Sequence, residues 1–469
     1  MYWQCENGNR MYQRATQVRH GNLATGLIAL LIGLLPAARA DSPGDTRSYG
    51  LADRVAAKPY LNMPSRADGK IPPLLSQTGA FSDTRHRIPS KALIPYELVV
   101  PFWSDGASKS RWVAIPDGKI KFSANGQWTF PAGTVFVKNF DLPTDAADPS
   151  VKRRLETRLL VRDSAGGVYG VTYKWRADDS DADLLPDSVE EEIPIKTASG
   201  ELRRQTWYYP SRKDCLTCHT TGAGGVLGVK TRQLNRDLSY PSGVTDNELR
   251  SWNHVGLFEP TIPAAELSGL PTMAASDDTS RSLEDRARSY LDANCSHCHH
   301  PGGTVAYFDA RYTTPLAQQG LIDGPVLIDQ GIDRPRVISP HDIWRSIAFM
   351  RVNTDGDIRM PPLARETIDQ KGVALLGQWI NSLPGRPVLD PPALSRPGGT
   401  YNAPLEITLR DSEPGAAIHY TLDGSDPDAS DPLYQAPIQL TGSIILRARA
   451  FKDGFKRSIA AQEVYIVGP

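Results

Sequence analysis

Five residues, Cys295-Ser296-His297-Cys298-His299, set two thiols three positions apart and a histidine directly after them. That spacing suits the attachment of a c-type haem. Each thiol adds across one vinyl group of the porphyrin, and two intervening residues let both sulfurs reach vinyls on one ring edge. His299 then falls beneath the ring, where its imidazole reaches iron. Cys215-Leu216-Thr217-Cys218-His219 repeats the pattern upstream. The sequence therefore predicts two covalently bound haem c groups, attached at Cys215, Cys218, Cys295 and Cys298, with His219 and His299 as iron ligands.

Other cysteine chemistries fit less well. Zinc ribbons hold their CxxC pairs roughly 15–20 residues apart, whereas 76 residues lie between Cys218 and Cys295. Neither a pair of disulfides nor a thioredoxin-like redox pair explains a histidine after both CxxC units. The remaining cysteine, Cys5, belongs to a stretch that reads as a signal peptide over 1–40. Arg10, Arg14 and Arg19 precede an apolar run from Leu23 to Leu35, and Ala38-Arg39-Ala40 is a small-x-small cleavage signal. The run is short for a membrane span, so no span is expected after leader removal. Export to the periplasm or the extracellular space fits haem attachment and leaves no odd thiol behind. The whole chain carries a formal charge of −1; losing four arginines and one glutamate with the leader leaves −4. That balance lacks the concentrated basic face that nucleic acid requires, and 40% hydrophobic against 22% charged residues is ordinary globular composition.

The elements that must position the motifs differ along the chain. Residues 41–214 read as a β-rich domain. Ile120 and Phe122, an Asn125-Gly126 turn, then Trp128 and Phe130 suggest a hairpin. Tyr169, Val171, Tyr173 and Trp175 follow Ala165-Gly166-Gly167 on one face, and strands at such short intervals argue for a sandwich or barrel. The acidic run Asp178 to Asp183 reads as a solvated loop. Residues 215–279 form a first haem-binding segment, entered through Trp207-Tyr208-Tyr209-Pro210 without an amphipathic helix. The glycine-rich stretch Gly222 to Gly228 lets backbone approach a porphyrin face or is a plain surface loop. Thr245-Asp246-Asn247-Glu248 has the form of a capping box, opening a helix that carries Leu249 and Trp252. His254 near its end is a candidate distal ligand for the first haem, with Met273 and an open or other position as the alternatives.

In residues 280–386, Ser282-Leu283-Glu284-Asp285 caps a helix with Leu283, Ala287, Tyr290 and Leu291 on one stripe, running into Cys295. Leu376, Trp379, Ile380 and Leu383 form a second stripe closed by Pro384. Arg359-Met360-Pro361-Pro362 lies between. This combination resembles an α-helical class I cytochrome c domain, and the resemblance implies that the two helices cross and that Met360 is the distal ligand of the second haem. Residues 387–397, with Pro387, Pro391, Pro392 and Pro397, read as a stiff linker. Over 398–469, Tyr420-Thr421-Leu422-Asp423-Gly424-Ser425-Asp426-Pro427, with Tyr434 and Pro437-Ile438, resembles the small C-terminal immunoglobulin-like β-sandwich of chitobiase and β-hexosaminidase. Asp423, Asp426, Asp428 and Asp431 there suit turns better than a cation.

The arrangement is multidomain. With Phe102-Trp103-Ser104-Asp105-Gly106-Ala107 and Phe130-Pro131-Ala132-Gly133-Thr134 ahead of two CxxCH motifs, it resembles a family of secreted, poorly characterised dihaem proteins. The resemblance implies an exported electron-transfer protein with an unidentified redox partner protein. Two alternatives stand beside it: a dihaem peroxidase or oxidase with one open haem, and a glycan- or partner-binding module carried by the C-terminal domain.

Overall fold

A computed structural model of the chain describes residues 48–304 and 306–468. The leader expected over 1–40 lies outside the described residues. Among the described residues no helix is long and apolar enough to cross a membrane.

Alternation of side chains over 93–184 builds a six-stranded antiparallel meander: β1 Leu93–Pro95, β2 Ser108–Ala114, β3 Val135–Pro143, β4 Lys152–Arg162, β5 Val168–Trp175 and β6 Ala182–Leu184. One face carries Val135, Val137, Leu159, Val161, Tyr169, Val171 and Tyr173 into a core shared with residues 57–81. The period of two read around Tyr169 to Trp175 is thus the register of a central strand. The sheet stays open rather than closing into a barrel, since β1 and β6 are its two edges. A separate hairpin, β7 Val189–Lys196 and β8 Leu202–Tyr209, packs Trp207 and Tyr209 against Phe140 and Leu155.

The opposite face of the meander has two parts. Val113, Phe136 and Val168 join an aromatic core with Trp128, Phe130, Trp252 and Phe258. Next to them the strand register sets Arg111 opposite Lys138, and Lys138 opposite Arg158. The expected hairpin over 120–130 shrinks to one bridge between Lys121 and Thr129, because Ile120–Lys121 pairs in parallel with Phe258–Glu259.

The helix expected from Thr245 starts later, as Glu248–His254. Thr245–Asn247 is used in a ladder with Asp237–Ser239, and Asn247 caps the helix by accepting the Arg250 N–H. Glu248, freed from the capping box, is fully buried and accepts the Glu97 N–H. Burial, countered in part by that hydrogen bond, pushes its carboxyl up to about 9 from the usual 4.5. The folded chain then holds a proton that the unfolded chain releases between those values, so stability is full below pH 4.5 and falls as pH rises toward 9. The limiting slope is about 1.4 kcal/mol per pH unit. Glu248→Gln keeps the acceptor and removes the titration. Melting curves are expected to match wild type near pH 4.5 and to lie above it at pH 8.5; parallel curves at both pH values would count against the buried acid.

The α-helical class I cytochrome c domain expected over 280–386 is corrected by the structure. The described chain is β-rich, 28% strand against 15% helix, and shows no haem-binding helical cytochrome domain. Residues 280–386 hold three α-helices, Leu283–Cys295, Ile347–Val352 and Gln370–Ser382. The two longer ones do pack together, Tyr290 and Leu291 against Val373 and Leu376 in one core. The described residues between Cys295 and Ile347 hold two single 3-10 turns and isolated β-bridges but no longer element. Pro301, Pro315, Pro335 and Pro340 punctuate that stretch and work against continuous helix.

The C-terminal unit is β-type, as expected. A sheet ordered Gly399–Tyr401, Ala461–Val467, Ile444–Phe451 and Ala417–Thr421 faces the pair Leu405–Ile407 and Ile438–Leu440 across a shared apolar core. Residues 387–397 are extended but docked: Leu389, Asp390, Pro391 and Pro392 are buried, and Trp344 donates its indole N–H to Asp390.

Candidate haem-attachment site

A cavity of about 350 Å³ lies between the sheet and the two CxxCH segments. That is the size range of pockets for small ligands and cofactors. Its floor is Arg111, Phe136, Lys138, Arg158, Leu160 and Gly170 of β2 to β5; Cys215, Cys218 and His219 form one wall, and Ser296, His297 and His300 another.

The first motif is held by local hydrogen bonding. The strand β8 ends at Tyr209, and Ser211 caps the short helix Arg212–Cys218 in a full capping box with Asp214. Sequence reading missed this box, although Ser-x-x-Asp is visible at 211–214. Tyr208 donates to Asp214 and Thr172 of β5 donates to the Pro210 carbonyl, so the helix is tied to the sheet. Gly170 lets it come close: a Cβ there would stand 2.7 Å from both Cβ and Sγ of Cys215.

His219 follows at the end of this helix. Its Nδ1 lies 2.7 Å from the Gly225 carbonyl. A backbone acceptor fixes the proton on Nδ1 and leaves Nε2 as the free donor atom for a metal. The glycine stretch therefore serves the histidine, and Gly224 and Gly225 adopt positive φ to turn that carbonyl inward. Burial pushes His219 down to about 4, against the hydrogen bond to Gly225, so its ring is neutral at pH 7. A neutral imidazole is the ligating form.

The second motif leaves the helix Leu283–Cys295, which Ser282 caps as expected. The N–H groups of Cys298 and His299 both donate to the Cys295 carbonyl. The His299 ring stacks on Phe308 with centroids 4.2 Å apart, and among the described residues its buried Nδ1 has no hydrogen-bond partner. Burial pushes this ring down to about 4 as well. Burial raises the Cys295 thiol to about 12. Cys218 and His297 beside it hold the Cys298 sulfur low.

The floor of the cavity is cationic. Arg111 pairs with Glu97 at 2.5 Å and Arg158 with Glu156 at 2.5 Å. Lys138 has no carboxylate within ion-pair distance among the described residues; its ammonium stands 4.8 Å over the Phe140 ring. Burial, with Lys109, Arg111 and Arg158 around it, holds Lys138 well below the usual lysine range. This row was not legible in the sequence, because it depends on strand register.

A second unread feature fastens the sheet to the second motif. Trp103 donates its backbone N–H to Asn294, next to Cys295, and its indole N–H to the Thr367 carbonyl. Asp105, 4% exposed and at φ 51°, accepts from the N–H groups of Glu366 and Thr367 and from the Thr367 hydroxyl.

Residues 396–462 match the chitobiase/beta-hexosaminidase C-terminal domain. No curated protein and no solved structure matches the chain. Within that domain the aspartates make turns and ion pairs. Asp423 and Asp428 accept from Ser425 and Ser430, Asp431 accepts the Asp428 N–H, and Asp426 pairs with Arg447 and Arg449. The chitobiase-like domain docks on the middle of the chain through Arg345, which donates to the Arg457 and Ser458 carbonyls.

The remaining candidate ligands lie away from the cavity. His254 is exposed and stacks on Tyr49, centroids 3.6 Å apart and planes 4° off parallel; the structure brings it to neither motif. Met273 is buried and does not line the cavity. Met360 is half-buried, and its N–H donates to the Arg351 carbonyl; Arg351 is among the charges felt by His299. Among the described residues no group of three or more His, Cys, Asp or Glu is placed to hold a metal ion directly. Cys215, Cys218 and His219 open on the cavity and suit a thioether-held porphyrin with one imidazole ligand, whereas Cys295, Cys298 and His299 do not line it.

Proposed function

We propose that this chain is an exported dihaem c-type protein that transfers electrons. When bound, haem iron supplies reversible one-electron chemistry. The chain's own groups hold the sulfurs, present a neutral imidazole and screen the site from water. The observation that carries the reading is His219, fixed through Nδ1 on Gly225 with its thiol neighbours opening into the cavity. The rest of the proposal is the extracytoplasmic location, inferred from the attachment chemistry and the leader-like start, and a redox partner protein as electron donor or acceptor.

Absorption spectra of the oxidised and reduced protein, with and without carbon monoxide, test it. Bands of two haem c groups are expected, the one at Cys295–Cys298 unaffected by carbon monoxide. A haem that binds carbon monoxide at once would move the assignment to a peroxidase or oxidase, and a protein without haem bands would end it. For the second motif, Met360→Ala is expected to lower the potential of one haem and admit carbon monoxide there, since a thioether raises the potential relative to a second imidazole. Unchanged redox titration in that variant would remove Met360 from the ligand set.

A further inference from the structure

Six lysines and arginines line the cavity against two aspartates. Both aspartates are already engaged: Asp292 pairs with Lys230, and Asp214 accepts from Ser211 and Tyr208. Arg111, Arg158 and Arg311 find their carboxylates outside the lining, on Glu97, Glu156 and Asp309. Among the described residues Lys138 and Arg232 have no carboxylate within ion-pair distance. Arg232 lies over the Tyr312 ring and reaches Asn125 at 3.5 Å. Lys138 is the more costly of the two, because the strand register sets it directly opposite Arg111 on one side and Arg158 on the other. Like charges directly opposed across a sheet destabilise it, and a buried ammonium without a counter-charge adds to that cost. Two positions along, the same pair of strands sets Phe136 opposite Leu160, and Leu98 and Val226 pack with them. The floor thus passes from cations to an apolar bed within one cavity.

We propose that this floor binds a carboxylate: Lys138, flanked by Arg111 and Arg158, receives the acid end of an amphiphilic ligand whose apolar body lies over Phe136 and Leu160. The acid supplies the counter-charge that the sheet lacks, and a hydrogen bond between two charged groups is stronger than one between neutral groups. A carboxylate has two possible sources. One is the propionate edge of a porphyrin held at Cys215 and Cys218, and that source rests on the dihaem reading. The other is a free organic acid, which needs no haem. No bond is made or broken in either case; the site recognises a charge beside an apolar surface.

The test uses the full chain, produced where haem is not attached and with its thiols reduced. It is titrated with protoporphyrin IX and its dimethyl ester, followed by absorption, and with laurate and dodecanol, followed by calorimetry. At least one of the two acids is expected to bind, and its uncharged counterpart to bind about tenfold or more weakly. Lys138→Met is expected to lower the affinity for that acid by about tenfold or more, whereas Lys138→Arg keeps most of it. Lys138→Met should melt at or above the wild-type temperature, since an unpaired buried charge leaves with it, and the comparison of acid with uncharged counterpart needs no variant at all. Binding of protoporphyrin IX alone assigns the porphyrin as the source. Binding of laurate alone assigns a free acid, and the site then stands even if the exported protein carries no haem. Failure of both acids to bind, equal binding of acid and counterpart, or wild-type binding by Lys138→Met would each overturn the carboxylate site, while haem found in the intact mass would leave the dihaem reading in place.

Discussion

Gly170→Ala is expected to strip the first motif of the haem proposed for it. The sheet and the helix Arg212–Cys218 approach so closely that an added Cβ would stand 2.7 Å from Cys215 Sγ. Neither partner yields easily. Gly170 sits in the paired centre of β5, opposite Leu160, and Cys215 is held by the Ser211–Asp214 box. The methyl group therefore moves the sulfur whose position the thioether bond depends on. Cys218 and His219 remain, so a fraction of chains is expected to carry a ring through one sulfur. Mass spectrometry should show the single-haem species dominating, with the second motif still filled. A variant that retains both haems in wild-type proportion would show that the close approach of Gly170 and Cys215 does not govern attachment.

The second large effect is expected at Asp105. Its carboxylate accepts three hydrogen bonds from residues 366 and 367, more than 260 positions away in sequence. Burial raises its pKa against the pull of those donors. Asp105→Ala leaves two part-buried backbone N–H groups without their acceptor, at up to about 1–3 kcal/mol each. It also puts alanine at φ 51°, a left-handed conformation costing about 1–2 kcal/mol. A loss of roughly 3–5 kcal/mol is expected, near the upper end for single substitutions. Asp105→Asn keeps one acceptor oxygen and tolerates the backbone, so it should lose less than half as much. Thermal melts of both variants test this. Equal destabilisation by Ala and Asn would mean that the acceptor is not what matters.

Parts of this architecture are written locally and were legible. Tyr169 to Trp175 alternate because they form a central strand, and Ser282 opens a helix because its hydroxyl accepts the Asp285 N–H. The CxxCH motifs are legible for the same reason, since their chemistry lies within five residues. What failed depended on distant pairing. Thr245 was read as a cap because its own neighbours allow it, but a ladder with residues 237–239 claims it. The Asp423-Gly424 turn forms, with Gly424 at φ 81°, and His419 bridges to Leu433 beyond it; the longer pairing of Ala417–Thr421, with Ile444–Phe451, lies farther along the chain. The class I cytochrome reading took two real helices and supplied the rest by resemblance, where the chain is irregular. His254 was placed by its distance along the chain, and the helix turns it outward to Tyr49. The clamp at Trp103 and Asp105 and the cationic row on β2 to β4 are both products of register and long-range contact.

The most direct test of the dihaem account is the intact mass of the protein recovered from a compartment that attaches c-type haem, measured under denaturing conditions that remove anything not covalently bound. The account predicts the polypeptide plus two haem groups, with peptides 215–219 and 295–299 each carrying one. A mass equal to the bare polypeptide, with four free or disulfide-linked thiols, would contradict it.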